Sequence, residues 1–149
     1  MEYTKRRNIN RGYMKLEVWQ NAINLLQIIN QIISNIDTID FKIKSQLIDA
    51  VQSISSNIAE GYCRKSINEY LYYLNVSLGS SGETLTRIIG LKVMNKINDN
   101  EFESIDGLHY LTENQLLSLI KSLQLKRKDG SWDDEIQHER FVDYTSDNP

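Results

Sequence analysis

Ser53, Asn57 and Glu60 bring a hydroxyl, an amide and a carboxylate onto one lane of a helical stretch, at i, i+4 and i+7. Such groups can build a nucleophilic site or a hydrogen-bonded layer. A nucleophilic serine needs a base within hydrogen-bond reach, ordinarily His or Lys, and neither type falls on this lane. Leu47, Val51, Ile54 and Ile58 form the apolar lane beside it, and Asn57 continues the heptad positions of Ile43 and Ala50. A buried amide or carboxylate without partners costs roughly 1–3 kcal/mol or more. The pattern therefore demands partners on a neighbouring helix. Gly79-Ser80-Ser81-Gly82, followed by Glu83, is the candidate: a small-residue notch whose hydroxyls face polar groups opposite. Ser53, Asn57, Glu60, Gly79, Ser80, Ser81 and Glu83 are thus read as a structural polar layer that fixes helix register.

Charge gives the second candidate. The net charge of −3 hides a split: residues 1–128 hold 16 Lys/Arg against 13 Asp/Glu, while residues 129–149 hold one Arg against seven acids. A mildly basic body precedes a strongly acidic tail. Lys5, Arg6, Arg7, Arg11 and Lys15 cluster near the start, Arg64 and Lys65 follow the polar lane, and Lys121, Lys126, Arg127 and Lys128 crowd a helix end. Basic clusters attract phosphate; a basic helix end also answers the macrodipole. Candidate nucleic-acid contacts are Lys5, Arg6, Arg7, Arg11, Lys15, Arg64 and Lys65. Tyr3, Tyr13 and Tyr62 lie near these charges and can stack on bases.

Other chemistry finds no support in the residue pattern. There is no Gly-rich phosphate loop, no Cys-x-x-Cys, no His-x-Glu and no two Glu-x-x-His motifs like those of di-iron bundles. His109, beside Tyr110, reads as a surface residue of the last helix. Cys63 adjoins Arg64 and Lys65, charges that would lower its pKa, yet an inert thiol at a helix end is the expectation. No cofactor, metal or enzymatic activity is expected. A single cysteine, no apolar run of membrane-spanning length and no apolar segment after the basic start favour a cytoplasmic, membrane-free setting.

The elements that must position these groups are helices. The only proline is Pro149, and apolar residues recur near every 3.6 positions. Val18, Ala22, Leu25, Ile29, Ile32 and Ile36 mark a first helix over about 14–36, with Trp19, Ile23, Leu26 and Ile33 as a second lane that serves either a subunit interface or a broad core. Asp40 caps a second helix over about 41–62, with Gly61 at its end. Ser66 with Glu69 spells a capping box for a third over about 67–95. Leu78 and Leu85 stay in phase across Gly79–Gly82, so that helix reads as continuous although two mid-helix glycines cost about 2 kcal/mol. Asn98 with Glu101 caps a fourth over about 99–128, and Asp129-Gly130 closes it. This predicts an all-α, antiparallel up-down-up-down four-helix bundle over 14–128, between a basic N-terminal arm (1–13) and a flexible acidic tail (129–149) carrying Trp132, Phe141 and Tyr144.

Several stretches together resemble one family, the bacterial proteins first recognised as products of intervening sequences in 23S ribosomal RNA genes. They are Leu16-Glu17-Val18-Trp19-Gln20 with Ala22, Gln46-Leu47 with Ala50, and Ser53-Ile54. Ser56-Asn57-Ile58-Ala59-Glu60-Gly61 with Arg64 follows, then Ser66, Glu69-Tyr70, Leu74, Gly79-Ser80 and Glu83. The likeness covers about residues 14–125. Ser55 departs from it, standing where the family often has proline, and the tail after Gly130 has no counterpart. The resemblance implies a four-helix bundle assembled as a homopentamer. A relative in fold, the accessory protein of diversity-generating retroelements, is a basic pentamer that engages reverse transcriptase and RNA.

The function this implies is a non-enzymatic oligomeric scaffold for RNA or DNA, or for a nucleic-acid-handling protein such as a reverse transcriptase or a ribosome-associated protein. The alternative is a protein-interaction module whose acidic aromatic tail docks on a partner or on a neighbouring subunit.

Overall fold

The computed structural model describes residues 2–64 and 66–132. A 3-10 helix, η1 (Ile9–Lys15), leads into α1 (Glu17–Ser34), α2 (Phe41–Cys63), α3 (Ile67–Val93) and α4 (Asp99–Asp129). Among the described residues every regular element is helical. No helix of the described residues is long and apolar enough to cross a membrane.

Each long helix packs mainly on two others: α1 on α2 and α4, and α3 on α2 and α4. Hydrogen bonds join Gln46 to Arg87, Ser53 to Ser80 and Ser77 to the carbonyl of Ile54. Numbers rise along α2 as they fall along α3, so these two run antiparallel. The apolar lanes converge on one core, with Leu25, Ile29, Leu47, Ile54, Ile58, Leu74, Ile88, Leu91, Ile105 and Leu116 fully enclosed. Burying each such side chain contributes about 1.5–3 kcal/mol.

The caps explain where the helices stop. The Asp40 carboxylate accepts from the Lys42 amide at 2.8 Å. Asn98 and Glu101 exchange two 2.8 Å hydrogen bonds as a capping box. Gly130, in the left-handed region at φ 69°, ends α4 where a Cβ would be strained. Ser66 precedes α3 but its hydroxyl caps nothing, contrary to the sequence signature.

Two features of the chain behave differently from their local signals. Gly79-Ser80-Ser81-Gly82 lies within unbroken α3, as the helical phase across it implies. A Cβ at Gly79 or Gly82 would meet nothing within 4 Å among the described residues, so none of their backbone approaches this notch closely. The close approach is at Gly61. There a Cβ would stand 2.9 Å from the Tyr70 ring and 3.1 Å from the Tyr70 carbonyl. Gly61 therefore lets α3 come close to α2, which continues past it to Cys63. It does not terminate the helix.

Residues before α1 pack against the helices. The Tyr3 and Tyr13 rings meet Trp19 edge-on, with centroids 4.9 and 5.3 Å away, a preferred aromatic geometry. Gln20 Nε2 donates to the Met14 carbonyl at 2.8 Å. Part of the second apolar lane of α1 is thus covered by the chain itself.

Candidate functional site

The polar layer forms, with different partners from those the lane implied. Asn57 Nδ2 donates to the Ser53 carbonyl at 2.8 Å and to Ser53 Oγ at 2.9 Å, within its own helix. Ser53 Oγ then meets Ser80 Oγ at 2.8 Å, the link from α2 to α3. Glu60 and Glu83 do not join this layer. Both face solvent and pair along their own helices, Glu60 with Arg64 at 2.6 Å and Glu83 with Arg87 at 2.9 Å. A carboxylate is costly to desolvate, and both side chains keep theirs in water.

Ser81 turns to α4 instead, where it finds His109. The ring nitrogen Nε2 lies 2.9 Å from Ser81 Oγ and 2.8 Å from the Ser81 carbonyl. Both residues are 1% exposed. The surface assignment of His109 is therefore corrected: it stands in register with Ile105, Thr112 and Leu116, all buried on the same face. A Ser–His pair invites comparison with nucleophilic catalysis, and two observations oppose it. A carbonyl oxygen only accepts, so Nε2 carries the hydrogen and is no base for the Ser81 proton. The pair is also sealed from substrate. Every fully buried side-chain nitrogen or oxygen among the described residues has a hydrogen-bond partner.

The basic residues fall into two groups. Arg64 is engaged within the fold: it donates to Glu60 and to the Tyr73 hydroxyl at 2.6 and 2.8 Å, lies 3.6 Å from Glu69, and covers the Tyr73 ring. It clamps the turn between α2 and α3, and Glu60 and Glu69 already answer its charge. Lys65 lies outside the described residues. The Cys63 thiol donates to the Asn10 carbonyl at 3.2 Å. Desolvation, then the Glu60 charge, push its pKa up, the reverse of what its basic neighbours imply.

Arg6, Arg7, Arg11 and Lys15 instead converge. With Asn8, Ile9, Gly12, Met14 and Tyr62 they line one recess of about 200 Å³, formed by the chain around η1 and the end of α2. Lys5 is exposed and not among its walls. Arg11 Nη1 donates to Thr4 Oγ1 and to the Arg6 carbonyl, both at 3.1 Å, which holds the segment in shape. Gly12 makes room for Tyr62: a Cβ there would fall 2.0 Å from the Tyr62 hydroxyl oxygen, so the ring would have to shift. Desolvation, then Cys63, push the Tyr62 pKa up, so its hydroxyl stays a donor at neutral pH. Sequence reasoning found the cations but not Gly12 or Tyr62 as recess walls, because only the fold brings positions 12 and 62 together.

Aromatic rings extend from this recess. Tyr13 and Tyr70 both meet Tyr62 at 6.1 Å, and Tyr70 meets Trp132 at 6.3 Å. The first aromatic residue of the tail thus packs on its own chain, with Lys126 over its ring. Phe141 and Tyr144, the other tail aromatics, lie outside the described residues.

A family model described as 23S rRNA-intervening sequence protein matches residues 14–125. A solved structure, of a protein with unknown function from the S23 ribosomal protein family of Bacteroides thetaiotaomicron VPI-5482, is similar in fold. Its TM-score is 0.65 at 24% identity, over 70% of this chain and 95% of that one. No curated protein matches.

Proposed function

The chain belongs to the 23S rRNA-intervening sequence protein family, and from that premise we propose that it is a non-enzymatic scaffold that binds RNA or another nucleic acid. In this reading the four long helices form an antiparallel up-down-up-down bundle that assembles as a homopentamer. The observation that carries it is the convergence of Arg6, Arg7, Arg11 and Lys15 on one recess beside Tyr62. Among the described residues the only carboxylate paired with these four is Glu2, 3.4 Å from Arg7. Free cations held on a folded segment attract phosphate and lose little entropy on binding. Five copies repeat the patch around one particle, and a strand that reaches two patches gains by effective concentration.

Filter binding of single-stranded RNA tests this. Neutralising about two phosphate charges implies a salt slope near −1.4, so affinity should fall roughly 7-fold between about 50 and 200 mM salt. Absence of binding at the lower salt contradicts the proposal. Light scattering tests the assembly: the wild-type mass should be about five times the 17.3 kDa chain. In Asn57→Leu, which cuts both ties to Ser53, the chain should stay helical while the pentamer weakens. A monomeric wild type contradicts the assembly.

A further inference from the structure

The recess has walls that an open basic surface lacks. We infer that it is a subsite for one terminal phosphate monoester, which deepens the nucleic-acid reading and rests on it. At about 200 Å³ it is smaller than the roughly 300–1,000 Å³ of sites that enclose whole small molecules. It admits a group, not a nucleotide. Tyr62 stands against Gly12 as part of its wall.

The charge fits a terminal group. A phosphate monoester carries about −1.5 to −2 at pH 7, whereas an internal phosphodiester carries a single charge. The side chains of Arg6 and Lys15 are exposed to solvent and, among the described residues, make no hydrogen bond or ion pair; the bonds of Arg6 are through its backbone. Arg11 uses one terminal nitrogen to brace Thr4 and Arg6 and keeps its remaining donors for a ligand. Ile9 and Met14 supply apolar wall, next to which each charge is less screened than in open water. The segment is held in place from three sides: Cys63 to Asn10, Gln20 to Met14, and Tyr13 on Trp19. The geometry exists before the ligand arrives, which reduces the cost of ordering it. Arg6, Arg7, Arg11 and Gly12 precede the span matched by the family model, whereas Met14, Lys15 and Tyr62 lie within it.

The test uses the full chain and three probes: a 5′-phosphorylated RNA octamer, the same octamer with a 5′-hydroxyl, and adenosine monophosphate. Titration by fluorescence anisotropy and calorimetry should give at least tenfold tighter binding to the phosphorylated octamer. Arg6→Ala and Lys15→Ala, each on an exposed side chain, should each shrink that preference. Equal affinity for the two octamers overturns the subsite while leaving the nucleic-acid reading intact. Should neither octamer bind, that reading falls, and adenosine monophosphate decides the recess. Binding lost in Arg6→Ala then assigns the subsite to mononucleotides, and no binding overturns it.

Discussion

Replacing His109 with alanine should destabilise the protein by roughly 3–5 kcal/mol, the largest loss expected from any single substitution considered. The imidazole is 1% exposed and bridges α4 to α3. Its removal leaves a cavity, which costs roughly 2–5 kcal/mol for comparable side chains. It also orphans Ser81 Oγ, an enclosed hydroxyl whose absent partner costs about 1–3 kcal/mol. These terms overlap, because a relaxing cavity can re-satisfy the hydroxyl. The melting temperature should fall by about 10 °C for a chain of this size, read at one fixed protein concentration since assembly would shift it. Ser81→Ala alone should cost less, about 1–2 kcal/mol. Combining Ser81→Ala with His109→Leu should recover much of the loss, since neither polar partner then remains unmet. A change under about 1 kcal/mol for His109→Ala would show that the interior link contributes little.

The largest effect on binding is expected from reversing two charges of the recess. Arg6→Glu with Lys15→Glu replaces two unpaired cations by carboxylates that repel phosphate. Each lost charge-assisted hydrogen bond is worth about 1.5–3 kcal/mol, so RNA affinity at low salt should fall more than 100-fold. Both side chains are exposed and make no hydrogen bond or ion pair among the described residues, so the melting temperature should hold. Lys121→Glu with Lys128→Glu supplies the control. It changes the net charge equally, at exposed positions on α4. If only net charge mattered, the two pairs would weaken RNA binding alike. A recess-centred interface predicts a much smaller loss for the α4 pair.

How much of this was readable in the chain depends on the range of the interaction involved. Local signals translated well: Asp40 and the Asn98–Glu101 box cap their helices, and Gly130 ends α4. Leu78 and Leu85, seven apart, carried the phase of α3 through two glycines. Pairings between helices were harder, because lane arguments give a direction and not a partner. Ser81 and Asn57 both pointed inward, yet Ser81 met His109 while Asn57 stayed with Ser53. A usable sign was present in α4. His109 and Thr112 stand at helical spacing between Ile105 and Leu116. Gly61 resembled a helix stop because glycine is common there, but the Tyr70 contact that requires it comes from another element. For the basic residues, composition located the cluster. Only the folded contact of Gly12 with Tyr62 distinguished Arg6, Arg11 and Lys15 from Arg64, whose charge is already matched by Glu60 and Glu69.

Hydrogen exchange of the full chain, with and without single-stranded RNA at low salt, tests most directly whether the docked leading segment is the nucleic-acid surface. Added protection concentrated in residues 5–15 and around Tyr62 is the predicted result. Protection confined to the basic end of α4, with residues 5–15 unchanged, would contradict it.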